Sequence, residues 1–558
     1  MPEIVKICPE KTGQDVPASF CDVFRRKVEE RCGLFTAGRD ARPPVIALGI
    51  RTGIGEEGFR IEDGCEGEVR IAGNDLRGCF YGMGKVLRDA RYEEGRFMPG
   101  KWRGVSVPEK KVRGIYLATH FHNYFHDAPM ADVERYIEDL ALWGFNHLLV
   151  WFDRHHYHGI NDPAAREMIV RLRELLKAGK KIGMKVGLTA LANEGYADSP
   201  AHLRADGNTG RAHYGVELCP SKPVATALML REFEEEFDAF SDVHPDFLCL
   251  WPYDQGGCAC PACKPWGCNG YLRISEQVAW LFKKRFPSGK VILSTWLFDC
   301  PYKTNDEWEG LSRAFIKKPD WVDYLLADSH DNFPEYPLVH GAPGGLPIIN
   351  FPEISMWKMT PWGGFGANPL PLRFQGFWDE VKSVSAGGFP YLEGIFADIN
   401  QVLYGAMYWS KDRPASDALR EYISFEYSPD VVEDVLRAIA ILERNHGYSW
   451  LHDRRTGKVR GLLKNRTGTE EAIALMSAAD RRLPDCMRTS WRWRILCLRA
   501  LLDDELSRNQ EVKTNRCEEA LEELTRIYHA EKAEFLVQPP SRKNLESSGY
   551  EPKWFHRE

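Results

Sequence analysis

The chain has 558 residues, 44% of them hydrophobic and 27% charged, which at ~100–200 residues per domain makes room for roughly two to four domains. Its 73 Lys+Arg stand against 80 Asp+Glu, a formal charge of −7 with no extended basic run, so the electrostatic footprint of a nucleic-acid binder is missing. No apolar run reaches the ~18 residues of a membrane span, the stretch Met1 to Cys8 has neither a basic nor an apolar leader region, and the 15 scattered cysteines suit reduced thiols, all of which points to a cytoplasmic protein with no membrane partner.

In chain order, the spacing predicts a helix from Val16 to Cys32, strands from Pro44 to Ile50 and from Gly67 to Ile71, and a helix over Asp75 to Arg88 behind a polar cap. These make a small α/β domain over residues 1–110, closed by Pro108 and the charged Glu109-Lys110-Lys111. A different rhythm runs over 111–414, with apolar strands predicted at 112–119, 145–152, 184–191, 246–252, 291–298, 322–327, 347–352 and 388–396. Amphipathic helices such as 131–143 and 271–286 lie between them. Eight β-then-α units predict a TIM (β/α)8 barrel, an α/β fold whose C-terminal strand ends form the active-site rim. Helix patterns alone follow Pro414, at 431–445, 469–482, 491–507 and 515–535, so residues 415–558 read as a helical C-terminal domain.

The predicted rim is rich in carboxylates: Asp153 follows strand two, Asp254 strand four, Asp299 strand five, Asp328 strand six and Glu353 strand seven, with Glu393 inside strand eight and Asp398 beyond it. Glycoside hydrolysis needs one protonated and one ionised carboxyl group flanking the scissile bond. Two segments carry the best candidates. In Trp251-Pro252-Tyr253-Asp254-Gln255-Gly256-Gly257 a strand ends on an aromatic-flanked Asp; in Tyr391-Leu392-Glu393-Gly394-Ile395-Phe396 an acid sits in apolar company that tends to raise its pKa. Strands four and eight oppose each other across an eight-stranded barrel, so Asp254 and Glu393 are the expected catalytic pair, with Glu353 as the reserve partner. Trp151, Trp251, Trp296, Trp357 and Tyr253 sit where strands end, and flat rings there stack on sugar faces or simply fill the barrel mouth. Asp153, Asp299, Asp328 and Asp398 are candidate hydroxyl-binding groups.

The stretch Asp75 to Leu87 resembles the small α/β domain that precedes the barrel in family 20 β-N-acetylhexosaminidases and family 67 α-glucuronidases, and the domain order is similar to that of the latter. The two rim segments are similar to those of other bacterial barrel glycosidases with this N-terminal domain. The resemblance implies a glycoside hydrolase acting on an oligosaccharide or glycoside. Family 20 enzymes carry an adjacent Asp-Glu pair after strand four for substrate-assisted catalysis, whereas this chain has Asp254-Gln255, which puts an acetamido-assisted mechanism in doubt.

His120 and His122 form an i, i+2 pair after strand one, as in the metal-dependent amidohydrolase barrels; His330 and Asp398 extend that pattern, but Asp299 stands where it needs a histidine. Polar contacts from His120 and His122 to a sugar are the other reading, and the Arg154-His155-His156-Tyr157-His158 cluster reads as a rim loop. Cys258, Cys260, Cys263 and Cys268 follow Asp254 closely enough to suit a structural Zn²⁺, with reduced free thiols as the alternative. A non-catalytic carbohydrate-binding barrel is the third function class, disfavoured by the number of rim acids. The expectation is therefore an exo-acting hydrolase of the β-N-acetylhexosaminide or uronide class that needs no cofactor for catalysis. A homo-oligomer is compatible with it.

Overall fold

The computed structural model describes residues 4–9, 16–33, 43–120, 122–210, 212–253, 255–299, 306–329, 333–354, 369–445, 467–510 and 512–532. At its centre is the closed parallel barrel that the sequence predicts, with strands Val112–Leu117, His147–Trp151, Lys185–Leu191, Phe247–Trp251, Lys290–Ser294, Tyr324–Ser329 and Ile348–Pro352 in sequence order. The eighth strand is in two pieces, Ser385–Gly388 and Tyr391–Leu392, because Pro390 has no N–H to give the ladder. Both pieces pair with the first strand, Gly387 with Val112 and Tyr391 with Tyr116. A Cβ on Gly387 would lie 1.7 Å from the Val112 carbonyl oxygen, so only glycine lets the sheet close here. The split also moves Glu393 from inside the predicted strand to just past its end.

Side chains alternate in and out along the strands. Tyr116, Leu149, Trp151, Phe247, Cys249, Trp251, Ile349, Phe351 and Tyr391 fill the barrel, while Ile115, Leu117, Leu148, Val150, Leu248 and Leu250 pack outward under the helices. Runs buried on both faces explain why these strands read as continuous apolar stretches.

Before the barrel, a five-stranded mixed sheet runs in the order Lys6–Pro9, Val45–Ile50, Val69–Gly73, Phe59–Asp63, Gly104–Ser106. Helices Ala18–Cys32 and Leu76–Asp89 belong to it, the second capped by Asp75, whose carboxylate accepts from Gly78 N at 3.0 Å. The sequence reading finds the two helices and the two long strands but not Phe59–Asp63 or Gly104–Ser106, whose mixed polarity hides them. Glu57 meets Arg113, at the start of the first barrel strand, in a buried ion pair on the face opposite the rim.

After the barrel come helices Asp398–Trp409, Ala415–Glu426, Val432–Asn445, Thr469–Asp480, Trp491–Arg508 and Asn515–Ile527. A buried charge cluster ties them to the rest. Arg492 reaches Asp398 at 2.8 Å and Asp139 at 3.0 Å; Lys27 also pairs with Asp139, and Arg31 with Glu426 at 2.8 Å. Five helices, from the first to the last third of the chain, meet at this one point.

Candidate functional site

Period-two alternation sets the site. Phe351 faces the barrel interior, so Glu353, two residues on, lies on the same side, and Trp151 and Leu326 place Asp153 and Asp328 likewise. Glu353 bridges Tyr391 across the last strand pair, and the Tyr391 hydroxyl donates to Glu393 Oε1 at 2.5 Å. Burial first, and then the neighbouring Glu393 and Glu353 carboxylates, hold the Tyr391 phenol well above its usual pKa. Glu353 and Glu393 are themselves 2% and 3% exposed, so two of the predicted acids meet, buried, at one tyrosine on the rim. Asp254 lies outside the described residues, as do Trp357 and His330.

The other predicted acids divide. Burial pushes the Asp153 carboxyl up against the pull of His156, whose Nε2 lies 3.1 Å from it. Asp328 is fully buried inside strand six rather than after it, paired in register with Phe351. Asp299 follows strand five, and its Oδ1 is buried with no hydrogen-bond partner among the described residues, the state of an acceptor that a substrate hydroxyl or a water would satisfy. Asp398 is a correction: it starts the helix Asp398–Trp409, bonded by Arg492 and by the Tyr422 hydroxyl at 2.6 Å, and so joins helices instead of binding a sugar.

The aromatic expectations are also corrected. Trp151 and Trp251 are 3% and 2% exposed and form the top layer of the barrel packing; His120 stacks on Trp151 with ring centroids 4.5 Å apart. Neither offers a free face, and both rings are floor rather than platform. Trp296, packed on Trp251 at 5.5 Å, remains partly exposed. Tyr253 would continue the inward side of strand four, but Pro252 ends the ladder and Tyr253 turns to bond Glu307, which also accepts from Gly267 N at 2.7 Å. It is a strut for the loop, not a sugar contact.

The histidine pair does not hold either. Strand one ends at Leu117, so His120 and His122 are not set by strand alternation: His122 is exposed and pairs with Asp127 at 2.6 Å, while His120 is buried. Burial above all, with His155, His126 and His156 adding to it, drives the His120 pKa down to about 3. An unfolded histidine titrates near 6.5, so the neutral native ring adds stability that is fully present above that pH and is lost as pH falls from 6.5 toward 3. Urea unfolding measured from pH 7 to pH 5 should show this group's contribution falling by about 2 kcal/mol in all, the slope steepening toward about 1.4 kcal/mol per pH unit below pH 6, and His120→Gln should remove that share. An unchanged slope in a folded His120→Gln protein would refute the assignment.

One wall of the rim was missed from sequence. The long segment after strand three carries Glu194, which accepts from His155 Nδ1 at 2.7 Å, and Glu217, which accepts from Tyr214 N at 2.6 Å and Gly215 N at 2.9 Å. His213 lies 2.6 Å from Glu217; burial alone would lower its pKa, but the Glu217 bond outweighs it and the imidazole is held above its usual value. Tyr214 stacks on His155 at 3.5 Å. Asn193-Glu194 obeys the same rule as the other rim acids, directly after a strand, and that was the available signal. Asn193 also clips this segment to the strand-four loop, donating to Gly257 O at 3.0 Å and accepting from Gly257 N at 3.1 Å.

In that loop, Cys258, Cys260 and Cys263 gather, but Cys268 does not join them. Its place is taken by Cys219, from the segment after strand three. A second metal-capable group, Asp153, His155 and His156, lies after strand two. Among the described residues His120 and His122 belong to neither.

No protein-family model matches the chain, and no curated protein does. Solved structures match its fold. A family 115 4-O-methyl-α-glucuronidase with specificity for decorated arabinogalactans is 13% identical, with TM-score 0.59 over 94% of this chain and 75% of that one. A Clostridium perfringens family 89 glycoside hydrolase, seen in complex with its substrate GlcNAc-α-1,4-galactose, is 13% identical, with TM-score 0.60 over 89% of this chain. This chain spans 62% of that enzyme, less than two thirds of its length. A family 138 enzyme targeting pectin rhamnogalacturonan II is 12% identical, with TM-score 0.55 over 94% and 73% of the two chains. The barrel with its flanking domains is thus an architecture found in TIM-barrel glycoside hydrolases.

Proposed function

We propose that the chain is an exo-acting glycoside hydrolase that releases a terminal sugar of the β-N-acetylhexosaminide or uronide class from an oligosaccharide. The observation that carries this reading is that two buried acids flank Tyr391 on the C-terminal rim of a closed parallel barrel, Glu393 accepting from its hydroxyl and Glu353 pairing with it through the backbone. Two matched structures support the terminal sugar and not its linkage: one is an α-glucuronidase, and the other binds an α-linked N-acetylglucosaminide.

In the proposed mechanism Asp254, three residues after strand four in sequence, gives its proton to the glycosidic oxygen as the C1–O bond breaks. Glu393 takes a proton from the water that attacks C1 from the opposite face, so one water is split and the anomeric centre inverts. The bond from Tyr391 makes Glu393 an acceptor, the role that a base needs. Asp299 Oδ1, without a partner among the described residues, would take a sugar hydroxyl. A panel of nitrophenyl β-N-acetylhexosaminides, glucuronides and neutral glycosides tests the reading, with proton NMR identifying the first anomer released. Turnover of one of the first two classes is expected. Binding of all three without hydrolysis of any would leave a carbohydrate-binding barrel instead.

The amidohydrolase reading keeps one observation, the gathering of Asp153, His155 and His156. His155 is bonded by Glu194 and Asp153 by His156, so each of these has a protein partner already. Prolonged EDTA treatment should leave glycoside turnover intact while the protein stays folded. Activity lost with EDTA and restored by Mn²⁺ would favour the metal hydrolase.

A further inference from the structure

The four gathered cysteines come from two loops and were brought together by the fold. Cys219 Sγ lies 3.5 Å from Cys258 Sγ, 3.8 Å from Cys260 Sγ and 3.9 Å from Cys263 Sγ, and Cys219, Cys258 and Cys263 are at most 1% exposed. Those separations are far too long for disulfides, whose sulfurs are about 2.05 Å apart. They match a tetrahedral site instead: with Zn–S bonds of about 2.3 Å, the sulfurs of a four-thiolate site lie roughly 3.8 Å from one another.

The backbone agrees. Cys260-Pro261-Ala262-Cys263 has the C-x2-C spacing of zinc ligands, and Cys263 N and Lys264 N both turn back onto Cys260 O, at 3.0 and 3.1 Å. The backbone N–H groups of Asp206 and Cys260 favour the thiolate of Cys258, and that of Ser221 favours the thiolate of Cys219. Donors aimed at sulfur are the surroundings that orient and stabilise ligating thiolates. The Ser221 hydroxyl lies 3.0 Å from Cys219 Sγ and 3.5 Å from Cys260 Sγ, beside the cluster and not in it. Cys268, the fourth ligand expected from the sequence, has its thiol near Pro265 O at 3.9 Å.

We propose that Cys219, Cys258, Cys260 and Cys263 bind one structural Zn²⁺ that pins the segment after barrel strand three to the loop after strand four. Binding oxidises nothing: each thiol gives its proton to solvent and a Zn–S bond takes its place. The two loops so joined carry Glu194 and Glu217 on one side and Gln255 on the other, with Tyr214 N donating to Gln255 O at 3.2 Å between them, so the ion braces the rim from behind. The inference does not depend on the glycosidase reading.

The full chain, produced in zinc-replete medium and purified without chelators, should hold about one zinc per molecule by elemental analysis, with X-ray absorption showing four sulfur neighbours at about 2.3 Å. Cys219→Ser should lose at least about tenfold in zinc occupancy, and Cys268→Ser should keep it at the wild-type level. Wild-type protein that is folded by circular dichroism yet metal-free would overturn the proposal. So would a disulfide among these cysteines by mass spectrometry, a nitrogen or oxygen ligand in the absorption spectrum, or zinc lost by Cys268→Ser and kept by Cys219→Ser. Should Cys219→Ser fail to fold, the wild-type spectrum decides alone.

Discussion

Glu393→Gln is expected to lower kcat on an aryl glycoside with a poor leaving group by about 10²–10⁴-fold, the range for loss of a positioned acid or base. The amide keeps an acceptor for the Tyr391 hydroxyl, so the fold should be undisturbed and Tm close to that of the wild type. Asp254→Asn should fall by a similar factor, because each member of the pair handles one of the two protons moved in a turnover. Glu353→Gln is the discriminating control. If Glu353 only supports the Tyr391 corner, its loss should cost far less than that of Glu393. If the Glu393→Gln protein folds and keeps near wild-type kcat while Glu353→Gln does not, the base is Glu353 and the pair is Asp254 with Glu353.

Arg492→Met should destabilise the protein by about 3–5 kcal/mol, the cost of removing one partner from a buried ion pair. Arg492 is flanked by Asp398 at 2.8 Å, Asp139 at 3.0 Å and Glu426 at 3.9 Å, and Met of similar length fills the space while leaving three carboxylates short of a cation. Lys27 and Arg31 compensate Asp139 and Glu426 in part, whereas Asp398 keeps neutral hydroxyl groups such as that of Tyr422 and no other cation among the described ion pairs. Asp398→Asn in the same background should therefore recover part of the loss. Urea unfolding of the single and double variants measures both effects, and a single-variant loss below about 1 kcal/mol would show that the cluster is not a stabilising joint.

The barrel was legible because burial on both sheet faces forces long apolar strands, and the helices between them because a single face must be apolar. What failed did so where information is not local. Pro390 splits the eighth strand at a place where the apolar pattern runs on unbroken. Tyr253 and Asp398 follow strands in sequence, but one turns to Glu307 and the other to Arg492, partners lying 54 and 94 residues away. Trp151 and Trp251 end their strands as expected; only their packing on each other, on His120 and on Trp296 reveals that they are covered. Cys219 stands alone in its stretch of sequence, 39 residues before Cys258, and nothing short of the folded loops could replace Cys268 with it.

The bond between Arg31 and Glu426 spans 395 residues. At a synthesis rate of about 5–20 residues per second, the helix bearing Arg31 leaves the ribosome about 20–80 s before its partner exists. Through that interval Arg31 has no Glu426 to pair with, and the Lys27–Asp139 pair stands without Arg492 beside it. This joint can close only once the helices bearing Glu426 and Arg492 have been made, so removing the Arg492 helix should be felt first in yield and aggregation during expression, before any effect on chemistry at the rim.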